Sequence, residues 1–111
     1  MNSAPIDPDS IIAVREFIHD VRTDIGVILQ LRGNDLRMKE RVMNSVVSHF
    51  PISDWCYLNC QKIPRLIVAK ECPLEQCLEN LLKTSSLIVF TDKFLYLHAK
   101  KITTLFFDTK K

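Results

Sequence analysis

The sequence predicts an α+β domain in which an N-terminal αα-hairpin, or one long helix, packs on a small mixed sheet with a βαβ unit and a C-terminal three-strand meander. Three observations predict it. In the first half of the chain apolar residues recur every three or four positions, the period of a helix with one buried face. In the second half short apolar runs separated by turn residues have the length of strands. Between two of those runs lies a proline-led stripe of leucines, the helix of a strand–helix–strand unit.

Residues 1–9 read as a flexible lead with two prolines, and residues 10–109 as one domain. Asp9 or Ser10 can cap a first helix whose inner face is Ile11, Val14, Ile18, Val21, Ile25 and Ile28. The pattern breaks at Arg32-Gly33-Asn34-Asp35. Gly33 suits the left-handed position after a helix, and Asn34 or Asp35 can cap a second helix from about Leu36 to His49. Its inner face is Leu36, Met43, Val46, Val47 and Phe50. The one-helix alternative rests on Leu29, Leu36, Met43 and Phe50, which continue at sevens, because a glycine inside a helix costs only about 1 kcal/mol. Pro51 ends the helix. Residues 53–63 suit either a short helix or a strand. Residues 65–69 read as a strand, and Pro73 opens a helix with the stripe Leu74, Cys77, Leu78, Leu81 and Leu82. Residues 87–90, 94–98 and 102–107 then form the three closing strands, the first apolar on both faces as a central strand would be.

A chain of 111 residues makes one domain able to bury its own core. Its 47% hydrophobic and 25% charged residues are ordinary globular values. The net charge of +2 is too small to demand a nucleic-acid partner, though it is uneven. Residues 1–54 hold six basic and eight acidic side chains, net −2, and residues 55–111 hold nine and five, net +4. The first residues lack a basic segment followed by an apolar one, and no run nears the roughly 18–20 apolar residues of a membrane span. The chain is therefore expected inside the cell, cytoplasmic or nuclear, with no membrane partner and with reduced thiols. Two glycines in the whole chain exclude a Gly-rich phosphate loop.

Four cysteines, Cys56, Cys60, Cys72 and Cys77, fall within one short stretch. The C-x3-C and C-x4-C pairs have a spacing that tetrahedral zinc permits. Cys56 and Cys60 share a face in either conformation, but their Cα atoms lie roughly 6 Å apart in a helix and about 13 Å apart in a strand. Only a helical or turned segment lets both reach one metal. Cys77 sits in an apolar stripe, where cysteine acts as a small hydrophobe. Cys72 is expected at a helix N-cap, a position that in general favours a thiolate; as a nucleophile it would need His49 or His98 as base, and nothing in the sequence joins them. His19 stands apart on the first helix. Lys93, Lys100, Lys101, Lys110 and Lys111 interleave with Phe94, Tyr96, Phe106 and Phe107, a composition that single-strand binders share with ordinary edge strands.

No catalytic order of serine, histidine and carboxylate, no paired-carboxylate motif and no metallohydrolase signature occurs, so the expectation is a non-enzymatic protein–protein interaction module. It would be a homodimer or a subunit of a larger assembly, without a cofactor. Its surface would draw on Leu29, Leu36, Met43, Phe50, Ile102 and Phe106, because apolar residues on both faces of the closing strands need cover. The alternatives are a zinc-stabilised regulatory domain using the four cysteines and a single-stranded nucleic-acid-binding domain.

Overall fold

The computed structural model describes residues 7–23, 26–50, 55–59, 73–76, 79, 86–92 and 99–109. A 3-10 turn, Pro8–Ser10, leads into helix α1, Ile12–Arg22. Strand β1, Val27–Arg32, follows, then helix α2, Leu36–Val47, and strands β2, Trp55–Asn59, β3, Ser86–Phe90, and β4, Lys101–Phe106. Residues 74–76 and 79 are helical. Helices packed with a sheet are what the sequence led us to expect; the sense of the sheet is not. Its order is β2-β3-β1-β4, and every described pair is parallel rather than mixed.

The largest departure is at β1. Ile25 and Ile28 continue the spacing of the first helix, yet α1 ends at Arg22, with the Thr23 hydroxyl donating to the Asp20 carbonyl at 2.9 Å. The reason lies in the next five residues. Val27, Ile28, Leu29, Gln30 and Leu31 are all buried, and a helix cannot bury five successive residues on one face. A parallel strand covered on both sides can, and β1 is the central strand between β3 and β4. So neither the αα-hairpin nor the single long helix forms: a strand separates α1 from α2.

The C-terminal meander also changes. Residues 94–98, its expected middle strand, lie outside the described residues, as does the expected strand 65–69. The outer two, β3 and β4, do not pair with each other. Each runs parallel to β1, with Leu29 opposite Ile88 on one side and Thr103 on the other.

Alternation along the strands sorts the core. Val27, Leu29 and Leu31 of β1, Ile88 and Phe90 of β3 and Tyr57 of β2 join Val14, Phe17 and Ile18 of α1 and Met38, Val42, Met43 and Val46 of α2 in one cluster. Period two on the strands meets period three-to-four on the helices. A buried Phe17 or Leu29 contributes about 2–3 kcal/mol to such a core. Ile28, Gln30 and Val89 point the other way and are also buried. Both faces at β1 and β3 are thus covered within a single chain, so no second copy is needed to cover them. Near the N-terminus the expected lead is folded from Asp7: Pro8 is buried and Ser45 of α2 donates to the Asp9 carboxylate.

Candidate functional site

All described strands point the same way, so their carboxyl ends gather along one edge. In open parallel sheets ligands bind at that edge, where successive connections leave in opposite directions. The connection from β1 runs to β2, beyond β3, and that from β3 runs to β4, beyond β1, so the two leave adjacent strands in opposite directions. On the far side of β1, its junction with β4 is where the described loops close on each other.

Three loops meet there. Gly33 has φ 101°, and a Cβ on it would stand 2.7 Å from the Phe107 carbonyl carbon and 2.9 Å from Asp108 Oδ1. The close approach lets Phe107 N–H donate to the Arg32 carbonyl and Asp35 N–H to the Phe107 carbonyl, both at 2.9 Å. Asn34 N–H donates to Asp108 Oδ1 at 3.0 Å, and Thr109 N–H returns to Asn34 Oδ1 at 2.8 Å. Asp35 caps α2 by accepting from Met38 N–H at 3.0 Å. Loop 33–35 and loop 107–109 are thereby locked together.

One turn into α2, Lys39 is 0% exposed although its side chain is ionisable. Burial pushes its pKa below the ordinary 10.5, while the carboxylates of Asp92, Asp108 and Asp35 push it up and Arg32 pushes it down. Arg32 itself is tied to the third loop, its Nε and one terminal nitrogen donating to the Asp92 carbonyl at 3.2 and 2.9 Å. Its guanidinium also stands 4.8 Å from the centre of the Phe106 ring, a cation–π contact that holds the ring while leaving the residue 59% exposed.

Beside these loops, between α2 and the end of β4, opens a cleft of about 450 Å³. It is lined by the acids Asp35 and Asp108, the bases Arg37 and Arg41, and the apolar side chains Met38, Phe106 and Phe107. Arg41 is steadied by its Nη1 against the Met38 sulfur at 4.0 Å. The volume falls in the range of small-ligand sites, and few polar groups converging on an apolar lining is their usual composition.

The residues named from the sequence scatter. Leu29 and Met43 are buried in the chain's own core and Phe50 is half-buried against it. Ile102 is half-buried; Leu36 and Phe106 are exposed. Cys56 lies in β2, whose extended backbone to Asn59 is not the helical or turned conformation that a shared metal with Cys60 requires. Cys60, Cys72 and Cys77 lie outside the described residues, and no group of three or more metal-ligating side chains occurs among those described. The mixed basic and aromatic cluster is split along β4: Lys100 and Lys101 stand at its start, Phe106 and Phe107 at its end, with Lys101 turned onto Asp20 of α1 at 3.2 Å. Lys93, Phe94, Tyr96, His98, Lys110 and Lys111 lie outside the described residues. His19 and His49 are exposed on different elements. No helix among the described residues is long and apolar enough to cross a membrane.

Sequence reasoning missed Lys39, Arg37, Arg41, Asp92 and Asp108. One signal for them existed. Gly33 and Lys39 have the spacing of the first glycine and the lysine of a phosphate loop, but Met38 and Glu40 stand where that loop has its second glycine and its hydroxyl residue. The carboxylate of Asp35 takes the place at the helix start that a phosphate would occupy. Searched against protein-family models, curated proteins and solved structures, the chain matches none.

Proposed function

We propose that this chain is a non-enzymatic binding module whose recognition site is the cleft at the carboxyl edge of its parallel sheet. The observation that carries the reading is the meeting of two arginines, two carboxylates and an exposed, guanidinium-held phenylalanine around one cleft of about 450 Å³. Arginines one helical turn apart attract an anion and an apolar lining accepts a flat body, whereas the carboxylates belong to loop closure and capping rather than to acid–base chemistry. Amide chemical-shift mapping of the full chain with inorganic phosphate and with benzoate tests the site. Saturable shifts confined to residues 34–41 and 105–109 support it. Saturable shifts at other residues instead remove it.

A second reading, protein association, has its own observation. Among the described strands β4 is at the edge of the sheet, and every residue along it is at least partly exposed. Such an edge can take an added strand from a second copy or another protein. Light scattering of the full chain supports this for self-association if it gives twice the chain's mass; a monomer mass removes the homodimer.

A further inference from the structure

We infer that the cleft takes a nucleoside monophosphate, its planar base on Phe106, its phosphate between Arg37 and Arg41, and its sugar hydroxyls on the carboxylates of Asp35 and Asp108; this rests on the cleft being the binding site. Arg37 and Arg41 are four residues apart on α2, about 6 Å along the axis at 1.5 Å per residue, a separation that lets two guanidinium groups flank one dianion. Asp35 and Asp108 each commit Oδ1 to a backbone N–H, and both line the cleft together with the two arginines. A simple anion would meet those carboxylates as like charges. A ligand that carries hydrogen-bond donors at one end and its anion at the other satisfies both ends, and adjacent sugar hydroxyls are donors suited to a carboxylate.

The ring chooses among such ligands. Phe106 is held on Arg32 and remains more than half exposed, so its cost of ordering is already met before a base stacks on it. The loop then sets the number of phosphates. In a triphosphate site a glycine-rich loop turns its N–H groups on the β- and γ-phosphates. Here the Asn34 and Met38 N–H groups are given to Asp108 and Asp35, and the Asp35 N–H to the Phe107 carbonyl. No cradle of free N–H groups is left at the start of α2 for a second or third phosphate, and the carboxylates would repel it.

The experiment is a titration of the full chain with AMP, GMP, CMP and UMP, with adenosine and inorganic phosphate as part-ligands, read by amide shifts at residues 34–41 and 105–109. At least one monophosphate should bind about tenfold or more tightly than either part-ligand, and more tightly than the corresponding triphosphate. The double variant Arg37→Gln, Arg41→Gln should weaken that monophosphate about tenfold or more, as loss of charge-assisted contacts does, with an unchanged melting temperature. Phe106→Ala should weaken the monophosphate and adenosine together. If no monophosphate binds more tightly than phosphate alone, or the triphosphate binds best, the ligand class is wrong while the site stands. If phosphate, benzoate and every nucleotide leave these amides unmoved, both the class and the site fall.

Discussion

Lys39, near the carboxyl end of the sheet, and Lys101, at its amino end, both stand among acidic side chains, yet burial separates them. Lys39 is enclosed, and desolvation pulls its pKa down despite three neighbouring carboxylates. Lys101 is half-exposed at the start of β4, and the hydrogen bond and charge of Asp20, with Glu16 at 3.6 Å, push its pKa up. A cleft of about 510 Å³ lies at this end as well, between Lys101 and the face of α1 that carries Arg15, Glu16 and Asp20, but its lysine and two of its acids are already joined to each other. The amino end is a solvated clasp between α1 and β4. The carboxyl end encloses an ionisable side chain at the junction of three loops, and desolvating its charged form costs stability.

The strongest way to break the carboxyl end is at its closest contact. Gly33→Ala puts a Cβ 2.7 Å from a backbone carbon in a left-handed conformation. Left-handed strain of about 1–2 kcal/mol and an overpacking cost of similar size should together remove about 3 kcal/mol or more of stability. Urea denaturation measures it; a loss under 1 kcal/mol would mean that loops 33–35 and 107–109 are not locked as described.

Lys39 gives the next effect, and it carries a sign. The folded chain holds Lys39 less protonated than the unfolded chain over an interval ending near 10.5, so the unfolded state binds more protons there and stability rises with pH. Lys39→Met should therefore be more stable than the parent at pH 7, with the gap closing as pH approaches 10.5. Denaturation series at pH 7 to 10.5 on both proteins test this. A gap that stays constant would deny that burial dominates at this site.

A smaller effect isolates the cap. Asp35→Ala removes the acceptor of Met38 N–H and should cost about 1 kcal/mol, within the usual range of about 0.5–2 for an N-cap. The Asn variant, which can still accept, should recover most of it. Failure of Asn to recover stability would shift the role of Asp35 from capping to its charge beside Lys39.

How far the sequence reached differs between the same two regions. The cap at Asp35 and the left-handed glycine at 33 were legible, because turn and cap chemistry is local. The start and most of the length of α2 were legible for the same reason. What preceded Gly33 was not: Ile25 and Ile28 satisfy a helical period, and only the unbroken burial of residues 27–31, a property of the sheet around them, makes that segment a strand. Parallel pairing was illegible because β1 and β4 are joined across some seventy residues, and no local signal records it. The candidate site inherits that limit. Its parts come from Arg32, Asp35, Asp92 and Phe106, which only the strand order β3-β1-β4 brings to one edge. The four cysteines cluster in sequence, whereas Lys39 sits in an ordinary charged helical stretch and only the fold sets it beside Asp92 and Asp108.

The amino-end clasp should yield the smallest effect and the opposite pH behaviour. The Lys101 pKa is raised on folding, so its contribution is fully present below 10.5 and is lost as pH climbs through the higher folded value. Lys101→Met should therefore differ from the parent by the same small amount at every pH from 7 to about 10, in contrast to the closing gap expected for Lys39. Because this lysine is solvated, salt screens its pairs, and the difference should shrink between low ionic strength and about 1 M, where the Debye length is about 3 Å. The Lys39 difference, set by desolvation, should persist in the same salt. If both differences fell together, Lys39 would be acting as a surface charge, and the contrast between the two ends of the sheet would fail.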